Sequence, residues 1–281
     1  MTDPIVYLNG QFLPLGEAKV SVLDRGFLFG DGVYEVIPVY GGKPFRLAEH
    51  LQRLDNSLAG IRMASPLTAA EWAELFGRLI DGDHDQSIYL QITRGAAPKR
   101  DHAFPKDTAP TVFAMCTPIA PMPASGVRAV TVPDIRWDWC HIKAVTLLAN
   151  VLLRQQAVDQ GCAEAILIRD GQAIEGAASN LFVVVDGVLV TPPKGNRILP
   201  GITRDLVVEL ARANGVPYQE RDIAFEELSR AEEVWVTSST REILPIVELD
   251  GKIVGDGAPG PVWTRMNRLY QDFKQTLRRR G

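Results

Sequence analysis

The sequence predicts an α+β protein with two domains, and three observations lead to that prediction. Strand pairs joined by tight turns outnumber β-α-β units, which argues against a doubly wound parallel sheet. Residues 118–126 contain three prolines and end in a glycine, a composition typical of a linker. The length of 281 residues is typical of about two domains. We therefore predict a small N-terminal domain of residues 1–117 and a larger C-terminal domain of residues 127–281.

Turn and cap signals define the elements of the N-terminal domain. Asn9–Gly10 is a strong signal for a two-residue hairpin turn, and Gly41–Gly42 is a second. Thr68, with Glu71 three residues later, forms a capping box that marks the start of a helix. The elements expected in chain order are a hairpin over 5–15, strands over 33–40 and 44–47, helices over 47–60 and 69–81, and strands over 87–93 and 111–117.

The C-terminal domain shows the same kinds of signal. Hairpins are expected to turn at three Asp-Gly pairs, namely Asp170–Gly171, Asp186–Gly187 and Asp250–Gly251. Helices are expected between them, near 144–160, 203–214 and 262–279. Hairpins interleaved with helices again favour an α+β arrangement.

Composition and charge exclude several classes of partner. The formal net charge is −4, which argues against nucleic acid or an anionic membrane as the natural partner. The most apolar stretch, residues 144–153, is too short to span a bilayer, and the first residues lack the pattern of a signal peptide. The three cysteines are scattered, as expected in a reducing cytoplasm, and the four histidines show no metal-ligand spacing. We expect a cytoplasmic protein that binds no metal.

Lys143 is the first candidate for a catalytic residue. It lies where an aromatic-rich segment, expected to be a strand, gives way to the helix predicted from residue 144, and no other lysine occurs between Lys106 and Lys194. Burial favours the uncharged form of a lysine, and a neutral amine is the nucleophile that forms Schiff bases with carbonyl compounds. Taken alone, the commoner interpretation is a lysine whose stem packs while its ammonium reaches water.

Three further segments suggest a ligand. Glu175 is followed by small residues up to Asn180, which would let a flat molecule approach the backbone closely. Ile202 and Thr203 open a helix whose free backbone N–H groups can bind a phosphate, although Thr203 could serve only as an N-cap. Residues 237–240 are four consecutive hydroxyl residues at the end of a strand, and they could donate to the same phosphate or merely cap a turn.

Together these features describe an aromatic cofactor that carries an aldehyde and a phosphate. Lys143 would bind the aldehyde, and the carboxylate of Glu175 would face a ring nitrogen. The hydroxyls and the helix N-terminus would hold the phosphate. Pyridoxal phosphate (PLP) fits this description.

Several motifs then give the chain a resemblance to a known family. They cover residues 25–36, 49–54, 89–95, the segment around Lys143, 175–180 and 201–205. With these motifs the sequence resembles, over essentially its whole length, the fold-type IV PLP enzymes, which include D-amino-acid aminotransferase, branched-chain aminotransferase and aminodeoxychorismate lyase. The resemblance implies a small N-terminal α/β domain, a larger β-barrel-like C-terminal domain with helices, and a homodimer whose active sites lie at the subunit interface.

The resemblance also assigns roles to particular residues. Lys143 would form the Schiff base with the cofactor, and Glu175 would face the pyridine nitrogen. Arg53 would hold the phosphate, and Leu199 would pack against the face of the ring. The full cofactor-binding set would be Arg53, Glu175, Ser179, Asn180, Leu199, Gly201, Ile202, Thr203, Ser238 and Ser239.

A shorter stretch bears on the subfamily. Residues 97–105 resemble the loop of D-amino-acid aminotransferases in which an arginine and a histidine reach the substrate of the partner subunit. With Tyr34, the residues Arg100 and His102 would form a trap for the substrate carboxylate, made of a phenol, a guanidinium fork and an imidazole. An ordinary polar surface loop is the alternative.

The reaction implied by this resemblance is transamination. The freed Lys143 would remove the Cα proton of a D-amino acid, and Glu175 as an anion would keep the ring nitrogen protonated. The expected substrates are D-alanine and 2-oxoglutarate, which would give pyruvate and D-glutamate.

Other functions stay open at this point. A branched-chain L-amino-acid transaminase or an amine transaminase would share every cofactor residue, and only the trap residues argue against them. An aminodeoxychorismate lyase would use the same lysine for elimination. A non-catalytic PLP carrier would not need Arg100 and His102, and a cofactor-free lysine aldolase would not need the phosphate-binding residues.

Overall fold

A computed structural model of the chain describes residues 3–121 and 125–279. The chain divides into two compact units. The first unit contains the described residues of Met1–Ile119 together with Ile142–Leu147 and Leu277–Gly281, and the second contains those of Ala120–His141 and Leu148–Thr276. Lys143 thus packs with the N-terminal part of the sequence. The linker predicted at 118–126 includes residues 122–124, which lie outside the described residues.

The first unit is built around a six-stranded antiparallel sheet with the strand order β2-β1-β6-β5-β3-β4. Its elements are β1 (Ile5–Leu8), β2 (Gln11–Pro14), a 3-10 turn (Leu15–Glu17), α1 (Arg25–Phe29), β3 (Gly32–Tyr40), β4 (Lys43–Pro44), α2 (Leu47–Gly60), α3 (Ala69–Leu79), β5 (Gln86–Thr93) and β6 (Thr111–Pro118). Leu54 and Leu58 of α2 and Phe76 of α3 are buried in one core with Ile37 and Ile88 of the sheet. This apolar burial, about 1.5–3 kcal/mol per large side chain, determines which face of β3 lies inward.

The local signals of the N-terminal sequence are confirmed. Asn9 and Gly10 have φ angles of 48° and 92°, as a tight turn between two twisted strands requires. The side chain of Thr68 accepts a hydrogen bond from the backbone of Glu71, and the Glu71 carboxylate accepts one from the backbone of Thr68, so the capping box opens α3. These features depend only on residues close in sequence.

The second unit contains a mixed sheet that curls into a half-barrel. Its main strand order is β12-β11-β10-β14-β15-β7-β8-β9-β13, with β16 paired to β15. Its elements are β7 (Val127–Pro133), α4 (Leu148–Asp159), β8 (Glu164–Arg169), β9 (Gln172–Gly176), β10 (Asn180–Val185), β11 (Val188–Thr191), α5 (Ile202–Ala213), β12 (Tyr218–Glu220), β13 (Ile223–Ala224), α6 (Phe225–Leu228), β14 (Glu233–Ser238), β15 (Glu242–Leu249), β16 (Lys252–Ile253) and α7 (Pro261–Arg279). Most neighbouring strands are antiparallel, so the predicted α+β class is confirmed.

The helix predicted from residue 144 begins later, at Leu148. The segment before it is extended, because the backbone N–H of Tyr34 donates to the carbonyl of Lys143 (2.9 Å) and that of Val145 donates to the carbonyl of Gly32 (3.1 Å). Pairing with β3 therefore overrides the helical pattern of this stretch. The aromatic-rich residues 134–141, expected to be a strand, form a loop instead.

Two smaller expectations also change. The strand expected at 44–47 is limited to Lys43–Pro44, because Arg46 has a φ of 51° and α2 begins at the next residue. The short helix Arg25–Phe29 was not expected from the sequence. Asp24 accepts a hydrogen bond from the backbone of Gly26 at its start, and Gly30 ends it with a φ of 66°.

Candidate active site

Lys143 is held by its backbone in the first unit. Its N–H donates to the hydroxyl of Ser57 on α2 (3.1 Å), while its carbonyl accepts from β3. Ser57 and β3 therefore fix the backbone of Lys143, and neither of these two hydrogen bonds involves its side chain. Its Nζ atom lies 4.2 Å from the centroid of the Tyr34 ring, so the structure brings together the predicted nucleophile and one predicted substrate-binding residue.

A buried ionic cluster lies on the inner face of β3, and we call Glu35, His50 and Arg53 the Glu35 cluster. Arg53 donates from Nε to Oε1 of Glu35 and from one terminal nitrogen to Oε2, both at 2.7 Å. His50 Nδ1 lies 2.8 Å from Oε2 of the same carboxylate. Residues three apart on a helix share a face, so α2 presents both side chains to Glu35.

Burial and the pairing among the three side chains together set the charges of the Glu35 cluster. Burial alone would raise the pKa of Glu35, but the Arg53 guanidinium and the hydrogen bonds from Arg53 and His50 hold that pKa well below its ordinary value. Burial lowers the pKa of His50, aided by the charges of Arg53 and Lys143 and opposed by Glu35. His50 is therefore neutral near pH 7. Because an ionised carboxylate only accepts hydrogen bonds, Nδ1 of His50 carries the donated proton.

Glu175 lies on β9 of the second unit, where its carboxylate is buried and held from three sides. The guanidinium of Arg136 donates to Oε1, the side-chain amide of Asn180 donates to Oε2 (3.0 Å), and the backbone N–H of Leu199 donates to Oε2 (3.2 Å). Burial raises the pKa of Glu175 to about 7, and Arg136 opposes the rise. The carboxylate is thus fixed in place and sensitive to any further charge beside it.

Two glycines allow close packing around Glu175. A Cβ atom at Gly176 would lie 2.1 Å from the hydroxyl of Ser179, and one at Gly201 would lie 1.9 Å from Oδ1 of Asn180. Either contact would force the neighbouring group to move. Asn180 also donates to the carbonyl of Leu199 (2.8 Å), so the predicted residues of this region form one connected set.

The predicted phosphate site lies at the start of α5. The helix begins at Ile202, and its N-cap is Gly201, which offers no side-chain cap. Thr203 is therefore the second helical residue and does not act as the N-cap. The first N–H groups of a helix point away from it and favour an anion. An uncapped start at Ile202 and Thr203 could hold a phosphate group.

The hydroxyl run at residues 237–240 begins in the last two residues of β14 and continues into the turn after it. Ser238 accepts a hydrogen bond from the backbone N–H of Arg241 (3.3 Å), which forms the turn that carries Ser239. The hydroxyl of Thr237 is buried, and no group in the described ranges 3–121 and 125–279 is hydrogen-bonded to it. A buried hydroxyl without a partner costs free energy unless a bound group completes it.

The three residues of the predicted carboxylate trap do not all lie together: Arg100 and His102 share one neighbour, and Tyr34 lies elsewhere. The guanidinium of Arg100 lies 4.8 Å from the centroid of the Phe29 ring, and the ring of His102 lies 5.3 Å from the same centroid. Tyr34 lies beside Lys143 instead. Among the described residues, no hydrogen bond or ring contact joins Tyr34 to either of the other two trap residues.

Four residues that hold the candidate side chains were not expected from the sequence: Glu35, His50 and Ser57 in the first unit and Arg136 in the second. The sequence does carry a signal for His50, which lies three residues before Arg53 on the buried side of the amphipathic helix α2. The burial of Arg53 also indicates that an acidic side chain lies nearby, since a buried guanidinium requires an acidic partner. Arg136 precedes Lys143 by seven residues, but nothing local connects it to Glu175, which follows thirty-nine residues later.

Two kinds of site are not found in the described part of the chain. No described helix is both long and apolar enough to cross a membrane. No group of three or more His, Cys, Asp or Glu side chains among residues 3–121 and 125–279 is arranged to hold a metal ion.

Each unit, taken by itself, contains groups that fit part of the chemistry of PLP. In the first unit Lys143 offers an amine on a fixed backbone, and in the second unit Glu175 offers a buried carboxylate of the kind that can pair with a ring nitrogen. The uncapped start of α5 and the unpartnered hydroxyl of Thr237 both suit the binding of a polar group. The donor set therefore matches an aldehyde, a ring nitrogen and a phosphate.

Comparisons with known proteins agree with this chemistry. Residues 32–249 match the family described as Amino-transferase class IV. A D-alanine aminotransferase of Bacillus licheniformis is 40% identical over 272 residues, covering 95% of this chain and 96% of that protein. One of Staphylococcus haemolyticus is 38% identical over 275 residues, covering 95% of this chain and 97% of that protein.

Solved structures show the same fold. A branched-chain aminotransferase of Thermoproteus uzoniensis with norvaline has a TM-score of 0.90 at 29% identity, covering 99% of this chain and 96% of that one. The T.th. branched-chain amino acid aminotransferase complexed with N-(5′-phosphopyridoxyl)-L-glutamate has the same TM-score and identity, covering 100% of this chain and 96% of that one. The predicted fold class, enzyme class and cofactor are confirmed. The chain therefore belongs to the class IV aminotransferases, PLP-dependent enzymes with the fold-type IV architecture.

Proposed function

We propose that this aminotransferase transfers the amino group of a D-amino acid of the D-alanine type to a 2-oxo acid such as 2-oxoglutarate. The observation that carries the proposal is the amine of Lys143, which extends beside the Tyr34 ring from a backbone fixed by Ser57 and β3. The choice of D-amino acids is supported by the relatives at 38–40% identity, whose names are D-alanine aminotransferase.

Lys143 is the proposed catalytic residue. PLP supplies an aldehyde that attaches to amines and, when its ring nitrogen is protonated, a ring that withdraws electrons from the carbon next to the amine. The Nζ amine of Lys143 is the proposed point of attachment. Once released, Nζ accepts the Cα proton of the amino acid and later gives a proton back, as a general base and then a general acid.

The proposed cofactor contacts divide by chemistry. Glu175 would pair with the ring nitrogen, and Arg136, Asn180 and the Leu199 backbone keep its carboxylate in position. The Glu35 cluster orients the Arg53 guanidinium, which we assign to the phosphate. The remaining proposed cofactor-binding residues are Ser179, Asn180, Leu199, Gly201, Ile202, Thr203, Ser238 and Ser239.

Substrate recognition is proposed to need two copies of the chain. Tyr34 and the pair Arg100 and His102 have no direct contact among the described residues, and a partner subunit would supply the loop that carries the latter two. The exposed side chains of Leu148 and Val151 on α4, 72% and 59% exposed, support a homodimer because a second copy would bury them. Light scattering that gives the mass of one chain at micromolar concentration would refute this assembly.

A cytoplasmic location is also proposed. All three cysteines have free thiols, as a reducing compartment allows. Cell fractionation with an antibody against the chain tests the location, and recovery outside the cytoplasmic fraction would contradict it.

A matched assay with D- and L-alanine and 2-oxoglutarate tests the proposed function. We expect D-alanine to be converted and L-alanine to react at least about a hundredfold more slowly, since one orientation of the carboxylate directs only one Cα hydrogen to Lys143. Conversion of L-alanine at the same rate would reject the assignment.

A second candidate is a branched-chain L-amino-acid transaminase. The observation that favours it is the branched-chain aminotransferase structures at TM-scores up to 0.90. Preference for L-leucine over D-alanine would support this candidate. Release of pyruvate from aminodeoxychorismate without an amino acceptor would instead indicate a lyase.

A further inference from the structure

A single buried arginine holds the loop that carries Arg100 and His102. Arg25 opens α1 and is only 4% exposed. Its guanidinium donates to three consecutive carbonyls of the loop: one terminal nitrogen reaches Asp101 (2.5 Å) and Ala103 (3.3 Å), and the other reaches His102 (3.2 Å). These partners are 76 to 78 residues away in sequence, so no local pattern specifies them.

The charge of Arg25 is balanced within the same region. Its Nε donates to Asp31 (2.7 Å), and Asp31 also pairs with Arg94 (2.8 Å). Burial alone would raise the pKa of Asp31, but Arg94 and Arg25 hold it below its ordinary value, so the carboxylate stays ionised. The Arg94 guanidinium lies 3.7 Å from the ring centroid of Phe104, at the far end of the same loop. Asp31 therefore holds the Nε side of the Arg25 guanidinium, while the two terminal nitrogens bind the loop.

The hydrogen bonds from Arg25 restrict the loop backbone and so restrict the positions of the loop side chains. A guanidinium has five N–H donors in a rigid plane, and three carbonyls held by one plane leave the backbone little freedom. The held carbonyls include that of His102, and Arg100 directly precedes them. Phe29, at the other end of the same short helix, contacts the side chains of both residues.

We propose that Arg25 is a positioning residue for substrate recognition, which sets the affinity for the substrate carboxylate through the backbone of the Arg100–His102 loop without touching the substrate. This inference rests on the proposed function, since it requires that Arg100 and His102 bind the carboxylate. Preorganisation of a binding loop improves affinity because ordering free energy is not lost when the ligand binds.

The test compares Arg25→Lys and Arg25→Gln with the wild-type holoenzyme. Lysine keeps the charge opposite Asp31 but offers one ammonium in place of a planar fork, and glutamine removes the charge. We expect KM for D-alanine and the dissociation constant of propionate, a carboxylate without an amine, to rise together by about tenfold in Arg25→Lys and by more in Arg25→Gln. We expect kcat to change by less than about threefold in Arg25→Lys, because the Lys143 chemistry is untouched.

A second readout follows the loop itself. Hydrogen exchange of the amides in residues 97–106 should become faster in Arg25→Lys, also in the cofactor-free protein. Arg78→Lys serves as a matched control, since its guanidinium stacks on the ring of Phe12 and not on the loop. A uniform rise in exchange over the whole first unit would mean that Arg25 supports the fold generally, and it would overturn the proposal.

A double-mutant cycle separates an effect of Arg25 that acts through Arg100 from an independent one. If Arg25 acts through Arg100, adding Arg25→Lys to the Arg100→Ala variant should cause no further loss of propionate affinity. The effects of the two substitutions are then not additive. Additive losses would overturn the proposal. An unchanged KM in Arg25→Lys beside a raised KM in Arg100→Ala would reject Arg25 and leave the trap intact. An unchanged KM in Arg100→Ala would reject the trap and the inference that rests on it.

Discussion

The guanidinium of Arg136 donates a hydrogen bond to Oε1 of Glu175, and both side chains are buried in the second unit. Asp134 accepts two bonds from the other side of the same guanidinium, at 2.9 Å each, so Arg136 connects two carboxylates. Burial raises the pKa of Glu175 to about 7 while Arg136 opposes the rise. The protonation of Glu175 therefore depends on the charges around it, and a protonated ring nitrogen beside it would favour the anion.

Glu175→Gln should reduce turnover by about a hundredfold or more while PLP stays bound. The amide keeps the size of the side chain but cannot balance a protonated ring nitrogen, so electron withdrawal from the substrate is lost. Steady-state rates and the cofactor absorbance test both parts. Glu232→Gln, at an exposed carboxylate, is the control. Normal transamination by Glu175→Gln would show that the role assigned to Glu175 is wrong.

The raised pKa of Glu175 should also make the cofactor-free protein less stable as pH rises. The folded protein holds this proton more tightly than the unfolded chain, whose glutamate pKa is about 4.3, so ionisation between about pH 4.5 and about pH 7 favours unfolding. Because glutamine does not titrate, the stability of wild type relative to Glu175→Gln should fall by up to about 3 kcal/mol across that window. Urea unfolding at both ends of the window measures this change. A constant difference between the two proteins would contradict a raised pKa.

Lys143→Ala should lose about three orders of magnitude in turnover or more, since it removes the base and the covalent anchor together. Treatment of the wild-type protein with borohydride should fix the cofactor on one peptide, which mass spectrometry should identify as the peptide containing Lys143. Lys106→Ala, at an exposed lysine, should keep its activity. Near-normal turnover in Lys143→Ala would end the assignment of Lys143.

Glu35→Ala should lower the free energy of unfolding by about 3–5 kcal/mol. The change leaves the buried Arg53 without the carboxylate that pairs with it at 2.7 Å, and breaking one side of a buried ion pair is costly. Glu49→Ala, on the helix that carries Arg53, removes a carboxylate that is 43% exposed and should cost no more than about 1 kcal/mol. Urea unfolding measures both values. Equal losses would mean that the Glu35 cluster adds no stability of its own.

Arg100→Ala should reduce kcat/KM for D-alanine by about 30- to 1,000-fold. Loss of a charge-assisted pair with the substrate costs roughly 2–4 kcal/mol of transition-state binding. Reaction with 2-aminopropane, in which a methyl group replaces the carboxylate of alanine, should be almost unchanged because that amine never uses the guanidinium. Equal losses for both substrates would make Arg100 a structural residue instead.

Local structure and family chemistry could both be predicted from the sequence alone. Asn9–Gly10, the capping box at Thr68 and the Asp-Gly turns each depend on the backbone preferences of adjacent residues, and the structure places all of them where the sequence predicted. Amphipathic periodicity likewise located α2 and α3 to within two residues. The family was identified by resemblance, from the segment around Lys143 together with the motifs at residues 25–36, 49–54, 89–95, 175–180 and 201–205.

The contacts that hold the functional side chains, in contrast, depend on the folded arrangement of distant parts of the chain. Lys143 lies on an extended segment and not at the start of a helix, because hydrogen bonds to β3 replace helical ones at that point. The pairing of Glu35 with Arg53, and of Arg25 with the carbonyls of residues 101–103, joins parts of the chain that share no local pattern. A buried charge is costly unless it is paired. The group that pairs with it is the one that packing brings close, and this depends on the folded arrangement rather than on neighbouring residues.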